Sequence, residues 1–485
     1  VYLINQTIME LSEKQQLAFD KFKKGENVFI TGPGGTGKSE LIRSIHSHAL
    51  ENKKKIAVCA MTGCAAVLLK CNAKTVHSWG GLGRCVGDAW SIVERIRENR
   101  YKKRAWASVD VLIVDEVSMM SKKLFEILDE LGKTIRRKDW KPFGGIQLVF
   151  TGDFHQLPPV GEKDEIETRQ FCFESERWMA AFSVENHILL TKIFRQADNA
   201  YAAILNQVRE GKLKKSAYET LMKQVGKKPD PDCEVEPTRL FPRRTSVDAI
   251  NRAEMEKIEG EERVFGMCRV HEVCPRDHSK KYTPQDILYE FSYLENSKPG
   301  DKEVVLKPGA QVMCTVNIED AGMGYGLCNG SQGKVLRFNE RGLPVVKFNG
   351  IPVPITVSPH TWVSEAIPHI GIAQVPLMLS WALTIHKAQG ATLEFAEVDV
   401  GADVFECGQT YVALSRVKSL EGLFLKDFKF QKVITNKKVK EFYQKIKDAQ
   451  ENPTPPKPST TPPVPSSSVS VFSEFMCPES ILDNT

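Results

Sequence analysis

Lys38 and Ser39 close the glycine-rich run GPGGTGKS at residues 32–39. The spacing is G-x-x-x-x-G-K-[ST], a phosphate-binding pattern. Gly32, Pro33, Gly34, Gly35, Thr36 and Gly37 can turn backbone N–H groups inward around phosphate oxygens. Lys38 adds a point charge at the outer phosphates, and the Ser39 hydroxyl is suited to ligate Mg²⁺. A second group is VLIVDE at 111–116, an apolar strand ending in Asp115 and Glu116. Desolvating two acids is costly unless something pairs them. A Mg²⁺ ion held by Asp115, partly through water, supplies that partner, and Glu116 is then placed to deprotonate an attacking water. A third stretch, VFTGDFHQLPPV at 149–160, ends a strand in a polar turn locked by Pro158 and Pro159. Turns end strands this way for local reasons. Gln156 becomes a site candidate only because the other two groups exist. Together the three point to nucleotide hydrolysis, while leaving open what the hydrolysis drives.

These residues need a scaffold. Residues 27–200 alternate strand-like and helix-like segments: NVFIT, a helix from Ser39, KIAVCAMT, a helical stretch to Lys70, VDVLIVDE, a helix from Ser121, and IQLVFTGD. That alternation predicts a parallel α/β sheet. A second α/β set follows from about 184, is interrupted by short strands with Gly and Pro turns, and resumes at VPLMLSWALTIHKAQG. The expected organisation is a first unit at 1–182 with an insertion at about 78–107, and a second unit at 183–302 and 376–450. A small β-barrel at 303–375 is inserted in the second unit, and a Pro/Ser-rich disordered tail covers 451–485.

The chain has 485 residues, 41 % hydrophobic and 26 % charged, with a net charge of +5, an ordinary soluble mixture too long for one core. The basic runs NKKK (52–55), RYKKR (100–104) and KLKK (212–215) permit a nucleic-acid partner without requiring one. Twelve cysteines without a CxxC pair fit reduced thiols inside a cell. No apolar run is long enough to span a membrane, and the first residues lack the pattern of a secretory signal. The chain begins at Val1, as expected of a fragment or trimmed chain whose upstream targeting segment is not visible.

Over roughly residues 11–430 the ordered motifs resemble superfamily 1B DNA helicases of the Pif (petite integration frequency) type. They are LSEKQ (11–15), GPGGTGKS, MTGCAA with KTVHSW, VLIVDEVSMM, KPFGGIQLVFTGDFHQLPPV (141–160), LTKIFRQ (190–196), GAQVM (309–313), NGSQGKV (329–335), LTIHKAQGATL (383–393) and GQTYVALSRVKSLEGL (408–423). The long block at 141–160 is more specific than the phosphate loop, and RecD-like helicases match it less well. The resemblance implies two RecA-like P-loop domains, a wedge insertion in the first and the inserted barrel in the second. It implies ATP and Mg²⁺ as cofactors and 5′-to-3′ unwinding in replication, recombination, repair or telomere maintenance. Gln15 then reads adenine, Gln156 senses the γ-phosphate, and Arg195 and Arg416 reach the phosphates from the second unit, where Gly390 also lies near the nucleotide.

By the same resemblance, Thr62, Thr75 and His77 on the first unit and His386 and Lys387 on the second line a single-stranded DNA track. These residue types contact phosphates without reading sequence. Phe154 and Trp79 are candidates for stacking bases, with Phe154 and His155 facing the DNA. The implied partners are single-stranded and forked DNA, G-quadruplexes and DNA–RNA hybrids, bound by a monomer. The implied setting is the nucleus or mitochondrion, or a host cell for a viral protein. The alternatives are a translocase that strips bound protein but unwinds poorly, and a nucleic-acid-binding scaffold without turnover. The intact Lys38, Asp115, Glu116, Gln156 and Arg416 argue against the scaffold. One further pattern, Cys268, His271, Cys274 and His278, has zinc-ligand types but lacks the usual gap between ligand pairs.

Overall fold

The computed structural model describes residues 11–451, apart from 70, 84, 86, 163, 197, 229–235, 274–281, 298–301, 317, 319–326, 328, 329, 365, 366 and 368. The first unit is built on a parallel sheet of six strands: β1 (Val28–Thr31), β2 (Ile56–Ala60), β3 (Lys74–Thr75), β4 (Val111–Asp115), β5 (Gln147–Gly152) and β6 (His187–Leu189). Their order is β3-β2-β4-β5-β1-β6. β1, β4 and nearly all of β5 are buried along their length, as their continuous apolar runs require for a sheet covered on both faces. Their carboxyl ends lie side by side, with Thr31 in register with Gly152 and Leu189, so the phosphate loop, the acidic pair and the Gln156 turn leave one edge together.

The second unit has a four-stranded parallel sheet in the order Ala382–Thr384, Thr238–Phe241, Ala396–Val400, Leu423–Phe428. The helix Asn199–Glu210 packs on it through Tyr201, Ile204, Leu205 and Val208. Between these strands lies an antiparallel insert.

Three expected boundaries move. β6 pairs with β1, so the first unit runs past 182 and takes in His187–Leu189; a three-residue strand carries too little periodicity to be placed from sequence. The insert is wider than 303–375. Arg263–Gly266 pairs with Glu303–Leu306, Cys268–His271 pairs with Ile370–Gln374, and Leu377–Leu379 completes the five-stranded sheet. The helix Lys437–Glu451, expected in the second unit, returns to the first. Its buried face, Val439, Tyr443 and Ile446, joins the first unit's core beside Phe29, Phe154 and Trp178. Gln450 donates to the His187 carbonyl at 2.6 Å, and Lys438 pairs with Glu174. We call it the return helix.

The segment expected as a wedge contains two helices, Ala89–Glu98 and Arg100–Ser108, anchored by Ile92, Val93, Ile96 and Trp106. Trp79 lies against Trp106 with ring centroids 4.6 Å apart, a core contact rather than an exposed stacking face. In the Cys/His pattern, Cys274 and His278 lie outside the described residues, while Cys268 is exposed on its strand.

Phe154 is corrected as a DNA contact. It is 2 % exposed and its ring meets those of Phe29, Phe171, Phe173, Trp178 and Phe442 at 4.7–6.0 Å. His155, expected to face the DNA, is likewise buried and stacks on Tyr443 at 5.0 Å. Phe154→Ala is therefore expected to lower the unfolding free energy by about 3–5 kcal/mol, measured by denaturant titration. DNA affinity of the folded protein should stay as in the parent. An unchanged stability with weakened DNA binding would return Phe154 to the DNA side.

Candidate functional site

β1 delivers the chain into the phosphate loop. The loop ends at Gly37, whose φ of +76° is a left-handed conformation that glycine adopts without strain, and the helix Lys38–Glu51 starts at the next residue. A side chain at Gly37 would also collide with Gln15 Nε2, at 2.5 Å. Gln15 is placed by a capping box: its Oε1 accepts from the Ser12 N–H at 2.9 Å. Its Nε2 donates to the Thr36 and Gly37 carbonyls at 3.3 Å. Lys38 Nζ donates to the Gly32 and Pro33 carbonyls at 2.8 and 2.9 Å. Burial lowers its pKa, against the opposing pull of Asp153, Glu116 and Asp115.

At the end of β4, Asp115 accepts hydrogen bonds from the Thr151 hydroxyl and, at 2.8 Å, from the Glu116 N–H. Burial raises its pKa. Glu116 has φ of +58°, an uncommon conformation for a residue with a side chain and one that recurs at functional sites. Burial and then the Asp115 charge raise its pKa, while Arg416, Lys38 and Gln389 act the other way. A base lifted above the usual carboxylate range accepts a proton more readily near neutral pH. Ser39 and Asp115 line the same cleft of about 1050 Å³ as the phosphate loop. A hydroxyl and a carboxylate are the hard oxygen donors that Mg²⁺ takes, so the residues present fit that ion.

The opposite wall supplies cations. Arg416 is 2 % exposed and donates only to neutral acceptors, the Val412 and Ala391 carbonyls and the Ser415 hydroxyl, at 3.0–3.4 Å. Burial and the neighbouring Arg195 bring its pKa down to about 10. Arg195 lies on the segment joining the two units rather than within the second. It reaches the Ser415 carbonyl at 3.4 Å, and its pKa is lowered by burial. Neither guanidinium has an ion pair among the described residues. Gln156, 4 % exposed, lines the same cleft, and its Oε1 has no hydrogen-bond partner among the described residues. Gly390 lines it as well. The arrangement is a P-loop cleft between two units, with acids and lysine on one wall and arginines on the other.

Three contributors carry no marker in the sequence reading. The Tyr411 hydroxyl accepts from the Gly34 N–H at 2.9 Å, which ties the second unit to the phosphate loop. Gln389 Nε2 donates to Glu116 Oε2 at 3.2 Å. Phe194, 47 % exposed, borders the cleft beside Gly37. All three sit inside quoted motifs, so proximity to Arg195, Gly390 and Arg416 was the available signal.

The five remaining candidates for the DNA track fall in two groups, Thr62, Thr75 and His77 at or just after the ends of the paired strands β2 and β3, and His386 and Lys387 on one turn of the second unit. Thr62 accepts from the Ala65 N–H and Thr75 from the Ser78 N–H, each at 3.2 Å, so both hydroxyls start short helices. His77 borders a separate cavity of about 170 Å³ with Met61 and Pro159, and burial lowers its pKa. On the second unit, His386 is half-buried and Lys387 exposed, on the turn that leads to Gln389.

Residues 10–219 match the PIF1-like helicase family and residues 292–338 match the DNA helicase Pif1 2B domain. The chain is 36 % identical, over 90 % of its length, to the ATP-dependent DNA helicase PIF1 of Emericella nidulans, of which it covers 63 %. A crystal structure of Pif1 helicase from Candida albicans matches with a TM-score of 0.74 and 33 % identity, over 90 % of this chain and 100 % of that one. Bacteroides Pif1 bound to single-stranded DNA matches with a TM-score of 0.63 at 26 % identity, over 91 % and 98 % of the two chains. The chain belongs to the PIF1-like helicase family. It spans just under two thirds of the length of the first curated relatives it matches, at 63 %, 66 % and 65 %.

If Glu116 is the base, Glu116→Gln removes the proton acceptor and keeps the shape. ATP turnover is expected to fall by about 10²–10⁴-fold, with ATP and DNA affinities close to the parent's. Steady-state hydrolysis beside equilibrium binding measures this, and retained turnover would overturn the assignment.

Proposed function

We propose that the chain is an ATP-dependent DNA helicase that moves 5′ to 3′ on single-stranded DNA. The observation that carries this is a buried Arg416 and a half-buried Arg195, with no ion pair among the described residues, lining with the phosphate loop a cleft between two RecA-like units. ATP binds with its phosphates on the loop amides and Lys38 and its base toward Gln15. Ser39 and Asp115 would hold Mg²⁺, which when bound neutralises charge on the phosphate oxygens. Glu116 takes the proton of the attacking water, and Gln156 sits where the γ-phosphate ends. Arg195 and Arg416 stabilise the charge on the transferred phosphoryl, a contribution worth about 10³–10⁵ in rate in other nucleotidases.

The arginines close the cleft around ATP and lose their anion when phosphate leaves. The two walls of the DNA track, Thr62, Thr75 and His77 on one side and His386 and Lys387 on the other, then shift relative to each other, and the strand advances. A base-pair step costs about 1.4 kcal/mol to open, and capture of the freed strand on the track offsets it locally. The relatives named PIF1 and RRM3 are ATP-dependent DNA helicases, and Bacteroides Pif1 has been crystallised with single-stranded DNA, which supports this reading. A role in replication, recombination or repair follows from such an activity, as does an intracellular setting where DNA is found.

With ATP and Mg²⁺, the protein is expected to unwind a fork carrying a 5′ tail and to leave the matched 3′-tailed fork largely paired. Equal unwinding of both would contradict the direction. DNA-stimulated hydrolysis without strand separation on either would contradict the helicase reading.

A further inference from the structure

A buried polar junction lies beside the cleft, and its Asp153 and Arg209 charges also act on Lys38. Asp153 follows β5 and is fully buried. Arg209, on the second unit's helix Asn199–Glu210, meets it with both arms of a fork: Nε donates to Oδ2 and Nη2 to Oδ1, each at 2.8 Å. The Arg209 guanidinium also lies over the Tyr443 ring of the return helix, 5.4 Å from its centroid. The Tyr443 hydroxyl shares a hydrogen bond with the Thr31 hydroxyl at 2.6 Å and accepts from the Phe154 N–H at 3.1 Å. One tyrosine thus touches the strand before the phosphate loop and the turn after β5. Burial alone would raise Asp153, yet Arg209 holds it below the usual carboxylate range. Burial and Arg209 hold His155 near 3, so the imidazole stacked on Tyr443 is neutral.

The same turn carries Gln156, whose N–H donates to the Asp153 carbonyl at 2.8 Å. The second unit grips it at another point. Gly408, with φ of +78°, presses on the His155 and Gln156 carbonyls so closely that a Cβ there would lie 2.5–2.6 Å from them. Gly408 is the N-cap of the helix Gln409–Leu414, and Arg416 lies just beyond the other end of that helix. The turn bearing Gln156 is therefore held to the second unit by an ion pair on one side and by the arginine-bearing helix on the other.

We propose that Arg209 and Tyr443 are positioning residues that act through Gln156: the Asp153–Arg209–Tyr443 junction fixes the glutamine turn against the second unit, so that movement of Arg416 and placement of Gln156 occur together. A bidentate guanidinium suits this task because a lysine keeps the charge but loses the fork. The proposal rests on the ATPase reading above and adds Arg209 and Tyr443, neither of which lines the nucleotide cleft.

The test is a double-mutant cycle on DNA-stimulated ATP hydrolysis by the full chain, with Arg209→Lys, Gln156→Ala and both together. Arg209→Lys is expected to lower kcat about a hundredfold, with KM for ATP and the affinity for fluorescent ADP within about twofold of the parent, because ADP lacks the γ-phosphate. The double variant should be no slower than Gln156→Ala alone. Additive losses would make Arg209 a packing residue and overturn the proposal, as would an unchanged kcat. If Arg209→Lys does not fold, the same cycle with Tyr443→Phe, which keeps the ring and removes the hydroxyl, is judged by the same two outcomes. Absence of DNA-stimulated turnover in the parent would instead sink the ATPase reading and this proposal with it.

Discussion

Arg416, buried, and Arg195, half-buried, have no ion pair among the described residues, and this sets the terms for the molecule. Arg195 and Arg416 stand close enough that each charge disfavours the other, and their hydrogen bonds go to carbonyls and a hydroxyl. A buried charge without a partner is destabilising until an anion arrives. The phosphate loop, which presents N–H groups, a helix N-terminus and Lys38, is built to bring one. The two units therefore gain most from approaching each other when a triphosphate lies between them. On the proposed ATPase reading, conformational work is available from this contact because hydrolysis consumes the favourable partner.

The rest of the architecture holds the parts of that contact in place. Three neighbouring strands bring the loop, the acids and the glutamine turn to one edge. The return helix closes the first unit after the chain has built the second, and of the two covalent connections between the units the first, with Phe194 and Arg195, lines the cleft. Its aromatic pair, Phe442 and Tyr443, seats Phe154 and His155 and leaves Gln156 as the polar side chain of that turn lining the cleft. On the other side, one tight turn holds His386 and Lys387 near Gln389, which touches Glu116. That adjacency gives the proposed DNA track a short path to Glu116.

Much of the site was legible because its information is local. The phosphate loop needs glycines at fixed places, and Asp115 and Glu116 at the end of an apolar strand have few packing explanations. Long-range pairing was not legible. Phe154 sits between polar neighbours in a turn, and nothing nearby shows that rings from residues 29, 171, 173, 178 and 442 converge on it. The apolar stripe of Lys437–Glu451 shows that the helix is buried without saying on which unit. Arg209 reads as one cation in an ordinary amphipathic helix, and only the folded chain brings it to Asp153.

On the proposed mechanism, Arg416 recognises the transferred phosphoryl and thereby closes the cleft. The direct measurement is the affinity ratio of ADP with aluminium fluoride to ADP alone, in the parent protein and in Arg416→Ala. A preference of about a hundredfold or more for the transition-state mimic is expected in the parent. Near loss of that preference is expected in the variant, with ADP affinity little changed. A variant that keeps the parent's preference would contradict this mechanism.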